Sequence, residues 1–297
     1  MTLGGDLARG LDLRPRASWR AIKSVIMTGL MIGAVVLVAI PLVLVMVSVF
    51  AKGGAILFKN FPSFLTADIP PTRVAGAGMG PAVLGTLMIT GTATLIAVPL
   101  GVLGAIYLHE YGGNSKFARL VRFLAMVMTG VPSIVMGLFI YVVWTMHFHL
   151  QAFGGALALA CLMLPVVINA SEQMLKLVPN SLREASYALG ATKARTILTV
   201  VLPAALSGIV SGALLAIARA AGETAPLLFT IGAARTINGH LFSNENTALS
   251  VRIFDNAKEA VVTAQDRGWG AALALVLLTF LLTVIARVVT ALTTRRK

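Results

Sequence analysis

Apolar residues in this chain come in long unbroken blocks rather than in the spaced stripes of a soluble helix. Val25–Phe50, Pro81–Leu108, Phe123–Met146, Leu150–Ser171, Ile197–Ala218 and Trp269–Ala286 contain no charged residue at all. A bilayer core is spanned by about 20 apolar residues in helical form, so each block is long enough to cross, the last being the shortest. A helix that is apolar on every side belongs in a protein core or in lipid. The pattern therefore predicts an all-α integral membrane protein with six transmembrane helices. Pro41, Pro99, Pro132 and Pro165 fall inside these blocks. Each removes a backbone hydrogen bond and bends its helix, a loss that neighbouring helices can make good.

Composition agrees. The mean hydropathy is +0.90, with 58% hydrophobic and only 12% charged residues, whereas about a quarter of a soluble domain is charged. The first block follows Arg14, Arg16, Arg20 and Lys23 in the manner of a signal peptide. It is too long for a signal core and no small-residue cleavage site follows it, so it reads as an uncleaved first span. A basic tail over residues 1–24 then precedes a six-helix domain over 25–297. With the N-terminus inside, the inner segments hold 15 Lys and Arg and the outer ones 7, which places both termini in the cytoplasm. The net charge of +13 is spread over four inner segments. It is explained by topology and anionic lipid headgroups, and nucleic acid is not expected as a partner.

The inner segment over residues 172–199 carries a local design. Ser181-Leu182-Arg183-Glu184 has the spacing of a capping box, so a short helix should begin there. Leu182, Ala185 and Leu189 share one face. Gly190 stands where a helix terminates in a left-handed residue, and Thr192 can cap a second helix running into the membrane at Leu202-Pro203. The result is a compact knob at the membrane surface. Pattern alone leaves two readings, an ordinary amphipathic connector or a plug for a partner's groove. Glu184, Ala185 and Ser186, then Gly190, Val200, Leu202 and Pro203, resemble the "EAA" loop of ABC importer permeases, with Ser186 and Val200 as mild departures. That resemblance implies a loop inserted into a cleft of an ATPase subunit, with coupling assigned to Arg183, Glu184, Ala185 and Gly190.

No catalytic constellation is present. There is no Gly-x-x-x-x-Gly-Lys-Ser/Thr, so the chain does not cradle ATP phosphates itself. Gly76-Ala77-Gly78-Met79-Gly80 reads as a flexible lead into the second span. Cys161 is the single cysteine, which excludes an intrachain disulfide and a cysteine-rich metal site. His147 and His149 form at most two metal ligands with no third nearby, and a membrane-interface role beside Trp144 is the better reading. The segment Arg235–Arg267 is polar and long, and a surface helix is expected near Val251–Ala264 with Val251, Phe254, Ala257 and Val261 on one face. No internal repeat is visible.

Ala218–Thr230 is the other informative stretch. Only Arg219 and Glu223 interrupt apolar sequence from Ile197 to Ala234. A charge at the bilayer centre costs about 2.5–3.5 kcal/mol on insertion scales, so a retained pair faces a cavity or itself. At i, i+4 spacing the two can pair on one helical face. About 1.5 Å per residue from Pro203 puts Arg219 roughly 24 Å along the helix. That depth is compatible with a pathway residue and equally with a marker of the outer helix end.

Arg219-Ala-x-Gly-Glu223-Thr224-Ala-Pro, following an EAA loop, resembles the phosphate-importer permeases, closest to their A-type subunit. Similar stretches are Pro81–Thr86, Gly130–Leu138, Leu164–Ile168 and Lys176–Pro179, so the likeness covers roughly Pro81 to Phe229. It implies a type I ABC importer bundle in the inner membrane of a prokaryote. It also implies that Arg219, Glu223 and Thr224 lie on the phosphate path. A guanidinium fork matches two phosphate oxygens, and a nearby carboxylate holds the fork in place. The implied partners are a second, different permease subunit, two ATPase subunits that bind ATP and Mg, an extracytoplasmic phosphate-binding protein, and lipid. The chain itself is expected to bind no cofactor. A permease for sulfate or molybdate, and an ATP-independent channel or secondary transporter, are the rival functions. A membrane-embedded enzyme is disfavoured by the lack of grouped reactive side chains.

Overall fold

The computed structural model describes residues 19–74 and 76–295, and the described secondary structure is helical. In chain order the helices are α1 (Trp19–Ser48), α2 (Gly54–Lys59), α3 (Ser63–Thr66), α4 (Gly80–Ile106), α5 (Lys116–Gly130), α6 (Ser133–Ile140) and α7 (Met146–Phe148). They continue with α8 (Ala152–Lys176), α9 (Asn180–Ala188), α10 (Lys193–Thr196), α11 (Leu202–Gly222), α12 (Leu249–Lys258) and α13 (Val262–Arg295). Short π-helical turns lie at Val49–Gly53, Tyr107–Tyr111, Tyr141–Thr145 and Ile197–Val201. Most of the basic tail read over 1–24 lies outside the described residues. Helix α1 belongs to one compact unit and residues 49–297 form the other. Its described side chains are exposed apart from a few at its C-terminal end.

Five helices are long and apolar enough to cross a membrane, or six if α5 and α6–α7 count as one broken span. The expectation of a single bent third helix is therefore corrected. The chain turns by 108° between Gly130 and Ser133. Pro132 lacks an N–H and excludes the helical region for the residue before it, and Val131 is accordingly extended (φ −71°, ψ 128°). Contacts along α8 settle the count. Gly155 lies against Ile89 and Gly101 against Val167, so α4 and α8 run parallel. The chain must cross back between them, and α5–α7 make that return.

Helix α8 is the centre of the larger unit. Its most apolar window is 61% buried within the chain, against 33% or less for the other spans. The contact faces are built from small residues. Ala93 and Ala97 of α4 join Ala156 and Ala160 of α8 in one core, with Ala216 and Ala220 from α11. Lipid tails are as apolar as leucine, so helices associate in a bilayer through close packing of small residues. Gly208 and Gly212 of α11 sit against Met174 and Ala170 of α8 in antiparallel register.

The ends depart from sequence expectation in two places. The glycine-rich lead into α4 is tightly packed. Met79 is fully buried and donates to the Phe64 carbonyl (2.8 Å), while Gly80 donates to that of Ala67 (2.9 Å). A Cβ on Gly78 would strike the Asp68 carbonyl, so glycine there serves close backbone approach. The segment after α11 holds helix α12, but its docked residues are the first-turn Leu249, Ser250, Val251 and Arg252. Phe254 and Ala257 are exposed and Val261 lies beyond the helix end. The N-terminal turn is drawn in because Leu249 N donates to Thr86 Oγ1 (2.9 Å) and Arg252 reaches the carbonyls of Ala233 and Ala234 (2.6 Å each).

Gly85 and Gly91 of α4 test this packing. A Cβ at Gly85 would meet the Thr247 carbonyl and Asn246 Oδ1, whereas one at Gly91 would meet nothing within 4 Å. Gly85→Ala should destabilise the detergent-solubilised protein by about 1–3 kcal/mol through overpacking. Gly91→Ala should be neutral or mildly stabilising, as expected for glycine to alanine within a helix. Equal melting temperatures for the two variants would show that the Gly85 contact is not close.

Candidate functional site

The knob takes the predicted form by a different local cause. Helix α9 starts at Asn180 behind Pro179 (φ −60°, ψ 141°), with no side-chain cap, so the Ser181/Glu184 capping box is not made. The proline supplies a pre-set φ at the helix entry. Gly190 has φ +80° with no atom within 4 Å of its would-be Cβ, and donates to the Tyr187 carbonyl (2.9 Å). Thr192 caps α10, accepting from Arg195 N (3.4 Å). Leu182, Glu184, Ala185, Tyr187 and Leu189 are exposed, Leu189 at 88%. This is an apolar crest beside a carboxylate, carried on a rigid turn.

Arg183 anchors that crest. Nearly buried, it donates to Glu110 Oε1 (2.8 and 3.2 Å), to the carbonyls of Val178 (2.7 Å) and Leu175 (3.1 Å), and to Asn180 Oδ1 (3.2 Å). It thereby joins α9 to the ends of α4 and α8. Lys193 adds a bond to the Glu110 carbonyl and lies over the Tyr111 ring. One turn deeper, Glu172 of α8 pairs with Arg122 (2.9 Å) and Lys176 (3.0 Å), while Arg122 also donates to the Leu108 and Gly113 carbonyls (2.6 and 3.0 Å). Two guanidinium–carboxylate clusters thus clamp the π-helical turn Tyr107–Tyr111.

Arg219 and Glu223 lie elsewhere, at the far end of α11. Helix α11 stops at Gly222, and Glu223 is already extended (ψ 132°), with its carbonyl accepting from Ser250 Oγ (2.9 Å). The expected pairing on one helical face is replaced by a long 3.5 Å contact across the helix end. The Arg219 side chain is 73% exposed and that of Glu223 19%. Both line a cavity of about 220 Å³ whose other, mostly apolar walls include Thr129, Val131, Pro132 and Ser133 from the broken span and Met163 and Pro165 from α8. Thr224 is half-buried, does not line this cavity, and opens the turn into Leu227.

The broken span contributes what residue-by-residue reading missed. The N-terminus of α6 faces the cavity, and Pro132 brings no side-chain cap to it. Helix starts at membrane depth present partial positive charge to anionic substrates. The signal was Gly130-Val131-Pro132-Ser133, a helix break followed by a hydroxyl. Guanidinium, helix terminus and two hydroxyls around one space suit an anion in passage. Among the described residues no three His, Cys, Asp or Glu gather as a metal site. Phe148 stacks on Trp144 at 4.3 Å and His149 takes a positive φ (64°) at the turn into α8.

A bundle of parallel and antiparallel spans around a small, mostly apolar cavity that holds one Arg–Glu pair, with a structured knob at one end, has the architecture of a membrane transport component. The family of binding-protein-dependent transport system inner membrane components matches residues 97–297. The chain is 41% identical over 287 residues to the phosphate transport system permease protein PstA 1 of Mycobacterium tuberculosis, covering 96% of this chain and 94% of that one. It is 39% identical over 283 residues to the PstA protein of Yersinia pestis, covering 93% and 92%. Among solved structures, the methionine ABC transporter MetNI in an inward-facing state aligns with a TM-score of 0.53 at 18% identity, over 73% of this chain and 93% of that one. A bacterial ABC transporter that imports alginate aligns with 0.61 at 14% identity, over 92% and 98%. The chain belongs to the binding-protein-dependent inner-membrane permeases of ABC importers. It is a multi-pass inner-membrane subunit, and the likeness extends well past the Pro81–Phe229 core.

The anchor predicts an asymmetry. Removing Arg183 leaves Glu110 a buried charge without its guanidinium, which costs about 3–5 kcal/mol. Removing the charge of Glu110 leaves Arg183 its carbonyl partners and costs less. Arg183→Gln should therefore melt well below Glu110→Gln in solubilised protein, and the reverse order would show that the pair is not the anchor.

Proposed function

We propose that this chain is the membrane subunit through which an ATP-driven importer moves inorganic phosphate into a prokaryotic cell. The observation that carries this reading is the Arg219 guanidinium, held beside Glu223 in a cavity at the break of a membrane span. The names of the relatives point to the same cargo. Arg219 makes transient bidentate contact with phosphate, and Glu223 orients it and opposes over-tight retention. Thr224 acts through the turn that fixes Glu223. The exposed apolar faces of α5 and α6, including Phe123, Val127, Ile134 and Leu138, support half of a pore completed by a second and different permease subunit.

The knob is the coupling element. Glu184, Ala185 and Gly190 shape the surface offered to a cleft of an ATPase subunit, and Arg183 passes its displacement to α4 and α8. Two such ATPase subunits bind ATP and Mg and supply hydrolysis. ATP shifts the bundle between inward- and outward-facing states by its differential affinity for them. The knob loop, residues 172–199, lies in the cytoplasm with both termini. A phosphate-binding protein delivers at the opposite face, on the segments Lys52–Gly80 and Arg235–Arg267.

Two measurements test this. In proteoliposomes with the full transporter, Arg219→Lys should lose at least about tenfold in phosphate uptake, because it keeps charge but loses the planar fork. The Arg219→Gln, Glu223→Gln double variant should assemble yet stay inactive. Wild-type uptake by the double variant would reduce the pair to charge neutralisation, and uptake of sulfate in preference to phosphate would reassign the cargo. For topology, a cysteine at exposed Asn244, in a chain with Cys161 replaced, should react with an impermeant reagent in intact cells. Labelling only after permeabilisation would invert the orientation.

A further inference from the structure

At the end of the bundle remote from the knob, a second cavity of about 390 Å³ is lined by Arg235, Arg252, Lys258 and Arg267, with Asp255, Asn256 and Glu259. Arg267 is 3% exposed and Arg252 7%. Their guanidinium groups are partly committed to structure. Arg267 Nη1 donates to the Pro70 carbonyl (3.0 Å) and Nη2 to that of Thr72 (2.9 Å), while Arg252 Nε donates to Thr247 Oγ1 (3.0 Å). Two buried donors of this lining have no acceptor, Arg267 Nε and Asn256 Nδ2. Arg235 is exposed and holds only a long 3.4 Å contact to Thr72 Oγ1. No ion pair among the described residues falls within the cluster.

An unpaired buried donor is destabilising, and here both orphans are N–H groups in a cavity with more cations than carboxylates. Burial holds Arg252 below the usual guanidinium range. Asp255 draws it back up, and Arg235 and Arg267 push it further down. The three guanidinium groups therefore feel one another. A small oxyanion, rich in acceptor oxygens, would answer both deficits at once by taking the orphan N–H bonds and relieving the repulsion.

We infer that this cavity is a second oxyanion site, separate from the Arg219 cavity, which holds a free tetrahedral oxyanion through Arg267 Nε, Asn256 Nδ2 and Arg235. Phosphate as its occupant rests on the transport function proposed above, and that topology places the site at the outer mouth. It is a staging point for cargo on the side of delivery. A lipid phosphate offers the same acceptor chemistry, but the geometry favours a free ion. The orphan donor atoms are buried in a cavity of about 390 Å³ whose wall includes Pro70 and Thr72, both bonded to Arg267, a space that suits an ion better than a diacyl lipid.

The test uses the full-length chain in phosphatidylcholine nanodiscs, carrying Arg219→Gln so that the other cavity does not contribute. Retention of isotope-labelled inorganic phosphate and amide exchange of residues 69–72 and 252–267 are read together. The expected result is saturable retention with slowed exchange in those segments. Arg235→Gln should weaken retention by about tenfold, the loss of one charge-assisted contact. Asn256→Asp should abolish it by putting a carboxylate beside Arg267, while leaving the melting temperature unchanged or higher. Sulfate producing the same protection would keep the site even if uptake assays reassign the cargo, so the two readings fail separately. Three results would overturn the inference: no retention once Arg219 is replaced, retention indifferent to both variants, or protection seen only when phosphatidylglycerol is added to the discs.

Discussion

Two parallel helices cannot be joined by a short turn. Alanine and glycine along α4 and α8 bring these backbones into contact in parallel register, and the rest of the larger unit follows from that contact. The connection must recross the bundle, and the recrossing is made by a span that Pro132 breaks. The break places helix-terminal amides and hydroxyls beside α11, where Arg219 and Glu223 line the same space. The cavity that holds Arg219 and Glu223 is thus a by-product of how α4 and α8 are packed.

Charge is distributed by the same constraint. Bilayer lipid offers no hydrogen bonds, so ionised groups collect at helix ends and around cavities. At the knob end, Arg122 and Arg183 bond carboxylates and free carbonyls together. At the opposite end, Arg252 and Arg267 staple loop carbonyls. Guanidinium is suited to this work because its fork of donors closes several backbone acceptors at once. Between the two ends runs α4, roughly 40 Å of continuous helix, tied to the knob through Glu110 and to the far loops through Thr86.

Much of this was legible in sequence because the bilayer imposes a simple rule on length and polarity. Apolar blocks gave the spans, and Gly190 and Thr192 stand where turn and cap chemistry requires them. Other features depended on distant contacts. The Ser181 capping box has the right spacing, yet Pro179 sets the helix start and Arg183 turns to Glu110, 73 residues away. Gly78 and Gly80 looked flexible because sequence does not show the Ala67 and Asp68 backbone pressing on them. Arg252 and Arg267 counted as ordinary outer charges, although both are buried. Tertiary context also moved the docked face of α12 to its first turn, since Thr86 and the Ala233–Ala234 carbonyls lie there.

Gly190 carries a consequence for variation in this protein. Open space surrounds it, so by the usual association of exposure with tolerance it should accept many residues. Its φ of +80° reverses that expectation, because a side chain at this angle costs about 1–2 kcal/mol before any contact is made. Every single-base change of a glycine codon yields either glycine, a stop, or a residue that bears this strain. The position therefore combines the accessibility of a loop tip with the mutational brittleness of a core, and natural variation should leave it blank while its exposed neighbours drift.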